Sequence, residues 1–274
     1  MKTDFRAVLL AGGRGSRMAS VLRGLPKALV PIGGAPLLAL QLSRLRLHGC
    51  TQAVVVGGHG IHHLRSALKA FSHSSDVVLL EETSGTLPAV LTGLGALGSE
   101  PGPIVAMNAD TIVDVDLALC IAAAPAWAAV TAVLTELPTG QNEGLVILAA
   151  TGQILAFEEA DRSGLDLTPA PPGSSGLPSR ERSLSLSNCG LYVVDRERLL
   201  GDVPRLRTLG LCWEGHALVH YRRRGLLAGV APPVHYVLDV GTPARFKRAC
   251  ADAALIHQIC GFRQDAFESH SRLA

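Results

Sequence analysis

The sequence has few aromatic residues, almost no net charge and no long uninterrupted apolar run. Aromatic residues make up 4% of its 274 positions, and 25 basic residues against 23 acidic ones leave a formal charge of +2. This even balance predicts no nucleic-acid partner, because phosphate backbones attract a surplus of basic residues. The most apolar long stretch, 117–134, is broken by Pro125 and predicts a helix followed by a strand, hence no membrane partner.

Cysteine is also sparse, and its spacing excludes the common cysteine motifs. The six cysteines are widely scattered, with no C-x-x-C pair among them. This pattern is typical of reduced thiols in a cytoplasmic protein rather than of a zinc site or a disulfide framework. The first apolar run begins at Ala7, which leaves no room for a signal peptide. We therefore expect a cytoplasmic protein.

Short apolar runs alternate with helical patterns in the first third of the chain. Apolar runs at 7–11, 53–56 and 77–80 flank leucine-rich helical spacing at 37–48 and 61–71. Buried strands that alternate with helices indicate an α/β protein whose parallel sheet is covered on both faces. Ligands of such sheets bind outside the carboxyl ends of the strands.

A glycine-rich loop follows the first apolar run. The sequence G-G-R-G-S-R-M occupies positions 12–18, and Lys27 follows Pro26 a few residues later. Glycine lets backbone N–H groups approach a polyphosphate closely, and Arg17 and Lys27 add positive charge. The dinucleotide fingerprint G-x-G-x-x-G requires glycine where Met18 stands, and the P-loop pattern has no match. The loop therefore predicts nucleotide binding.

An acidic residue follows another apolar run, at the edge where the nucleotide is expected. Asp110 comes directly after the run 104–107 and the pair Asn108-Ala109. An aspartate at the carboxyl end of a central strand is a suitable ligand for Mg2+, which prefers oxygen donors. Asp110 is therefore a candidate metal ligand.

The strand, the glycine loop and Pro26-Lys27 together resemble the opening signature of the sugar nucleotidyltransferases, also called nucleoside-diphosphate-sugar pyrophosphorylases. Four later segments resemble motifs of this family in the family's order. They are 82–89 (E-x-x-G-T-x-G-A), 108–110 (N-G-D), 188–192 (N-x-G-x-Y) and 239–243 (D-[I/V]-G-T-P).

The resemblance runs from about residue 5 to residue 250, and it implies a fold and a domain organisation. The implied fold is a Rossmann-like three-layer α/β/α nucleotidyltransferase fold with a mixed, mostly parallel central sheet. One domain would cover 1–250, with a nucleotide-binding half at about 1–135 and a sugar-binding half at about 136–250. A mobile Pro/Gly/Ser-rich insertion is predicted at about 161–186, and a C-terminal helix and tail at 251–274.

The resemblance also implies a role for each matching residue. The catalytic residues would be Arg17, Lys27, Asp110 and Asp239, with Asp110 and Asp239 sharing one Mg2+ ion. The nucleotide-binding residues would be Leu10, Ala11, Gly12, Gly13, Gly15, Ser16, Glu82, Gly85, Thr86 and Asn108. The sugar-binding residues would be Gly144, Glu159, Asn188 and Arg162.

Four positions, in three motifs, depart from the family pattern. Leu87-Pro88 stand where the family usually has small residues and glycine, and Ala109 replaces the glycine of N-G-D. Ala160 replaces the lysine of an F-x-E-K motif that contacts the sugar phosphate. Loss of that cation is costly unless another group replaces it, and the candidates are Arg162 as a replacement or Lys27 acting alone.

The implied reaction joins a nucleoside triphosphate (NTP) and a sugar 1-phosphate to give a nucleoside-diphosphate (NDP) sugar and pyrophosphate, with Mg2+ as cofactor. The segment 111–117 looks most like the branch that makes nucleotide-activated manno-heptose. We therefore favour GTP as the nucleotide and D-glycero-α-D-manno-heptose 1-phosphate or mannose 1-phosphate as the acceptor. The alternatives are a cytidylyl- or thymidylyltransferase of the same fold and a catalytically silent regulatory paralogue that binds NDP-sugar. Because family members often pair, the resemblance also admits a homodimer.

Overall fold

The computed structural model describes residues 3–22, 24–70, 76–136, 145–157 and 186–263. The strands are β1 (Phe5–Ala11), β2 (Pro31–Ile32), β3 (Ala35–Pro36), β4 (Cys50–Gly57), β5 (Val77–Glu81), β6 (Ile104–Asn108), β7 (Thr111–Asp114), β8 (Val130–Glu136), β9 (Leu145–Leu148), β10 (Ile154–Phe157), β11 (Leu186–Val194), β12 (Leu227–Val230) and β13 (Tyr236–Asp239). The α-helices are α1 (Ala19–Leu22), α2 (Leu37–Leu47), α3 (Ile61–Ala70), α4 (Thr86–Ala96), α5 (Leu117–Ala123), α6 (Arg196–Gly201), α7 (Val203–Leu209), α8 (Val219–Arg223), α9 (Pro243–Ala251) and α10 (Ala253–Ile259). Short 3-10 turns cover Ser16–Met18 and Lys27–Leu29, and a π-helix covers Trp213–Leu218.

A nine-stranded mixed sheet forms the centre of the fold. Its order is β10-β9-β11-β6-β1-β4-β5, with β8 paired to β11 and β12 paired to β8. Strand β1 pairs parallel with β4 and β6, and β4 pairs parallel with β5. These pairs are parallel because helices α2, α3 and α4 carry the chain back between consecutive strands. The long strand β11 instead pairs antiparallel with β6, β8 and β9. The predicted α/β fold with a mixed sheet is therefore confirmed.

Helices cover the sheet on both faces, as the apolar runs predict. Alternate residues of β1 point to opposite faces, so Val8 packs in one core cluster and Ala7 and Leu9 in another. The first cluster includes Val90 and Leu94 of α4, while the second includes residues of α2, α3 and α5. Among the described residues, no helix is long and apolar enough to span a membrane.

The carboxyl ends of the parallel strands meet at one edge of the sheet. Glu82 N donates to Gly57 O at 2.8 Å, and Ala109 N donates to Leu10 O at 3.1 Å. At Gly58 a Cβ atom would lie only 3.0 Å from the carbonyl oxygen of Glu82. The loops after β1, β4, β5 and β6 therefore pack backbone to backbone, as the strand order requires.

A second, two-stranded sheet brings the two predicted metal ligands together. Strands β7 and β13 pair antiparallel, with Asp239 opposite Thr111. The next residue, Val240, donates its N–H to Asp110 O at 2.9 Å. Residues more than a hundred positions apart in the sequence thus become neighbours at the carboxyl edge of the main sheet.

Candidate active site

A lysine ammonium lies between the two aspartates. Lys27 Nζ is 2.5 Å from Asp110 Oδ2 and 3.3 Å from Asp239 Oδ1. Lys27 begins a short 3-10 turn after Pro26 and is 9% exposed, whereas both carboxylates are about one-third exposed. The structure therefore brings three of the four predicted catalytic residues into direct contact, with the carboxylates open to solvent.

A second cation, which the sequence analysis missed, contacts the other carboxylate oxygen of Asp239, Oδ2. Arg245 Nη1 is 2.8 Å from Asp239 Oδ2. Arg245 lies in the first turn of α9, and its N–H is capped by the Thr242 hydroxyl at 3.3 Å. The D-V-G-T-P motif could have pointed to Arg245. A proline there favours a helix start at Pro243, and a helix that starts at Pro243 has Arg245 in its first turn. Gly241 leaves room for this pair, since a Cβ atom there would lie 2.7 Å from Asp239 Oδ2.

The two carboxylates fit the requirements of a divalent metal. A single nitrogen atom contacts both of them, so one cation can be shared by Asp110 and Asp239. Within the described parts of the chain, no group of three or more His, Cys, Asp or Glu side chains is arranged to hold a metal. Two carboxylates would fill only part of the octahedral coordination of Mg2+, which leaves positions for substrate phosphates and water.

The glycine loop has the backbone conformation that its sequence predicts. Gly15 is left-handed, with φ 61°, and a Cβ atom there would run into the side chain of Leu22. Met18 N donates to Gly15 O at 2.7 Å, and the Met18 side chain is fully buried. Met18 therefore anchors the loop, while Arg17 beside it is exposed and open to a ligand.

The predicted nucleotide-binding motif at 82–89 is held by hydrogen bonds within the protein. Glu82 Oε1 accepts from the Ser84 hydroxyl at 2.6 Å and from Ser84 N at 2.8 Å, and these bonds lower the pKa of the Glu82 carboxyl. Thr86 Oγ1 accepts from Trp213 N at 2.8 Å, so its own hydroxyl hydrogen remains the donor available to a ligand. A Cβ atom at Gly85 would collide with the carbonyl of Leu211, which explains the glycine.

A cavity of about 530 Å³ lies beside this motif. Its lining includes Glu82, Ser84, Leu87 and Pro88 from the motif, and it extends to Arg207 of α7. Pro88 lies in the first turn of α4, where a missing N–H costs no helical hydrogen bond. The Leu87-Pro88 departure therefore changes the wall of this cavity without breaking the helix.

The sugar-binding predictions are only partly covered by the structure. Asn188 Nδ2 donates to the Tyr192 hydroxyl at 2.7 Å, and Asn188 Oδ1 accepts from Gly190 N at 3.1 Å. The Tyr192 hydroxyl in turn donates to Glu214 at 3.3 Å, a link that the sequence analysis missed because Glu214 lies in a separate element.

Asn108 packs close to Gly190: a Cβ atom added at Gly190 would lie 2.7 Å from Asn108 Nδ2. This contact places the nucleotide motif at the end of β6 next to the sugar motif on β11. The remaining sugar predictions, Gly144, Glu159 and Arg162, lie outside the described residues, as do Ala160 and all but the last residue of the predicted insertion.

Two solved structures share this fold. HddC from Yersinia pseudotuberculosis matches with a TM-score of 0.70 and 19% identity, over 91% of this chain and 99% of that one. A putative glucose-1-phosphate thymidylyltransferase from Bacillus anthracis, in complex with a sucrose, matches with a TM-score of 0.70 and 18% identity, over 91% and 95% of the two chains. This likeness shows that the chain has the Rossmann-like fold of these two proteins.

The sequence comparisons give the family. The model of the MobA-like NTP transferase domain matches residues 7–168, so the chain belongs to the MobA-like NTP transferase family. The bifunctional protein GlmU of Geobacter sulfurreducens is 31% identical over 210 residues, which are 74% of this chain and 40% of GlmU. The GlmU of Roseobacter denitrificans is 28% identical over 277 residues, which cover 98% of this chain and 55% of that GlmU. The chain thus spans about half the length of these relatives, and the predicted membership of the sugar-nucleotidyltransferase family is confirmed.

Proposed function

We propose that this protein is a sugar-1-phosphate nucleotidyltransferase, which joins an NTP and a sugar 1-phosphate into an NDP-sugar and pyrophosphate. The observation that carries this proposal is the contact of Lys27 with Asp110 and Asp239 at the edge of the sheet where the glycine loop lies. The family membership supports it, as do the names of the matching proteins, among them a putative glucose-1-phosphate thymidylyltransferase.

The chemistry needs positioning and charge neutralisation rather than a general base. A phosphate oxygen of the sugar 1-phosphate is already an anion at neutral pH, and it attacks the α-phosphorus of the NTP. A new P–O bond forms there, while the bond to the bridging oxygen breaks and pyrophosphate leaves with its electron pair. Residues 12–16 and Arg17 would bind the β- and γ-phosphates, and Lys27 would neutralise the α-phosphate and the incoming phosphate.

Asp110 and Asp239 would hold Mg2+, as the general use of a divalent metal in this family suggests. When bound, the metal supplies charge neutralisation at the phosphate oxygens. Lys27 contacts the same two carboxylates, so its ammonium group has to leave at least one of them before a metal can be shared. The released ammonium group is then available to the substrate phosphates.

Asn188 would orient the sugar through its amide, together with Gly144 and Glu159. Arg162 would replace the lysine that Ala160 lacks. If so, Arg162→Ala raises the KM for the sugar 1-phosphate and leaves the KM for the NTP unchanged. An unchanged KM for the sugar 1-phosphate would remove Arg162 from the site.

We favour GTP as the nucleotide and a manno-configured heptose or hexose 1-phosphate as the acceptor. A structure of HddC was solved with GMP-PN, which supports a guanine nucleotide in a protein of this fold. We further propose that the protein acts in the cytoplasm, without a nucleic-acid or membrane partner, as a monomer or homodimer.

The decisive experiment measures pyrophosphate release from ATP, GTP, CTP, UTP and dTTP, each with a panel of sugar 1-phosphates, with and without Mg2+. A Mg2+-dependent signal with one pair supports the proposal and identifies both substrates. A signal with CTP or dTTP would keep the reaction and replace GTP. Silence across the panel, with tight NDP-sugar binding by calorimetry, would instead support a regulatory paralogue, the alternative that Ala160 favours.

A further inference from the structure

A buried glutamine lies beneath the turn that carries Asp110. Gln41 is in the middle of α2 and is fully buried. Its Nε2 donates to the carbonyl oxygen of Thr111 at 2.7 Å and to that of Ala109 at 3.4 Å. These two carbonyls flank Asp110, so one side-chain amide bridges both ends of the turn. The bond to Thr111 has the length of a strong hydrogen bond, and the bond to Ala109 is weaker.

The orientation of the Gln41 amide follows from its partners. Two carbonyl oxygens require N–H donors, so the NH2 group must face the turn and the Oε1 atom must face away from it. Oε1 is buried and has no hydrogen-bond partner among the described residues. A buried carbonyl without a partner destabilises the folded state, and an apolar residue in this leucine-rich helix would avoid that penalty. The cost of Gln41 therefore points to a role for its donors at the turn.

Two backbone hydrogen bonds also hold the turn, besides the pairing of Thr111 with Asp239. Ala109 N donates to Leu10 O of β1 at 3.1 Å, and Val240 N donates to Asp110 O at 2.9 Å. Gln41 adds the bonds to the carbonyls on either side. The Ala109 carbonyl belongs to the peptide that enters Asp110, so its direction restricts the φ angle of Asp110 and the direction of the carboxylate. Gln41 thus completes the set of contacts that orients Asp110 toward Asp239.

A neutral amide suits this position better than a charged donor. A lysine or arginine beneath the turn would add a fixed positive charge close to the Asp110 carboxylate and oppose a metal there. Gln41 supplies two donors without that charge.

We propose that Gln41 is a positioning residue for metal binding by Asp110. The inference rests on the proposed function, in which Asp110 and Asp239 share a divalent metal. Gln41 touches neither metal nor substrate. It holds the peptides around Asp110 so that both carboxylates reach one cation.

The test uses the full chain and Mn2+ as the probe, with bound Mn2+ measured by electron paramagnetic resonance. Gln41→Met keeps the length of the side chain and removes both donors. We expect Mn2+ to bind about tenfold more weakly, the change that loss of one well-made hydrogen bond produces. In thermal unfolding, the rise in Tm on adding Mn2+ should shrink as well.

Ser43→Ala is the matched control. Ser43 lies in the same helix, and its hydroxyl donates to Gly261 O at 3.3 Å in an exposed position, so this variant loses a side-chain hydrogen bond away from the turn. We expect its Mn2+ affinity to equal that of the wild type. Equal losses of Mn2+ affinity in Ser43→Ala and Gln41→Met would reduce Gln41 to a general structural role and overturn the proposal.

Gln41→Glu provides a second variant of the same size, should Gln41→Met fail to fold. Its protonated carboxyl can donate to one carbonyl, whereas its ionised form places negative charge against two carbonyl oxygens. Relative to the wild type, its Mn2+ affinity should therefore fall as the pH rises. Wild-type Mn2+ affinity in both variants would overturn the role of Gln41 alone. Failure of the wild type itself to bind Mn2+ would overturn the metal site of the proposed function.

Discussion

Replacing Lys27 with methionine should destabilise the metal-free protein and strengthen its response to Mg2+. Lys27 is the only cation that contacts both aspartates among the described residues. Without it, Asp110 and Asp239 face each other with only Arg245 left to balance Asp239. Mg2+ would then bind two carboxylates from which no ammonium group has to be displaced.

The magnitude follows from the distances. At 2.5 and 3.3 Å, and with an effective dielectric constant of about 20, each pair gains about 5–7 kcal/mol of gross Coulomb energy. Desolvation of the ammonium and the carboxylates offsets most of that gain, and breaking a fully buried pair costs about 3–5 kcal/mol net. Because both carboxylates are about one-third exposed, we expect a loss of about 2–3 kcal/mol in the free energy of unfolding.

The assay is urea unfolding of the wild type and of Lys27→Met, each over a series of Mg2+ concentrations. The difference in stability should be largest without Mg2+ and should shrink as Mg2+ fills the site. Arg245→Met is the control, because it removes one ion pair of Asp239 and leaves the contacts of Lys27 with both aspartates in place, so it should lower stability less. A deficit in Lys27→Met that Mg2+ does not reduce would refute the idea that Lys27 and the metal compete for one position.

Three further predictions test the site and the fold. Asp110→Asn should keep the native circular dichroism spectrum, and its rate of pyrophosphate release should fall by at least about 1,000-fold. Wild-type activity in this variant would contradict the role of Asp110 as a metal ligand. Gly241→Ala should push the Asp239 carboxylate aside, because a Cβ atom would lie 2.7 Å from its Oδ2, so kcat/KM should fall about tenfold in a folded protein. Burial and the charge of Arg224 lower the pKa of His220 below its ordinary 6.5. Its unfolded state therefore binds more protons, and the free energy of unfolding should decline as the pH falls below 6.5; His220→Gln should remove part of that decline in pH-dependent urea unfolding.

The sequence predicted the parallel half of the fold well, because its signals are local. The apolar residues show their period within a few positions in the run Ala7–Ala11, in the leucines of α2 and in the valines of β4. The resemblance then predicted the mixed sheet, since composition alone does not show that β11 pairs antiparallel with three strands. Those pairings join residues far apart in the chain, where no local pattern operates.

The sequence points to site candidates where a residue belongs to a contiguous motif, and the roles of these residues remain predictions. Lys27, Asp110 and Asp239 were each identified from neighbours in sequence, and the structure brings them into contact. Arg245 and Gln41 were missed because their roles depend on how a helix packs against a turn. An arginine near a helix start and a glutamine among leucines look like many other residues when only the sequence is considered.

The sequence by itself determined which groups this protein brings to its site: a glycine loop shaped for phosphates, a lysine after proline, and two aspartates that each end an apolar run. These are local properties, set by backbone freedom, side-chain charge and the period of apolar residues. Only the tertiary structure decided that Lys27 lies between the aspartates, that Arg245 binds the second of them and that Gln41 holds the turn of the first. Such contacts arise from the pairing of β7 with β13 and from the packing of α2 beneath the turn between β6 and β7, and the free energy that fixes them comes from burial across the whole sheet.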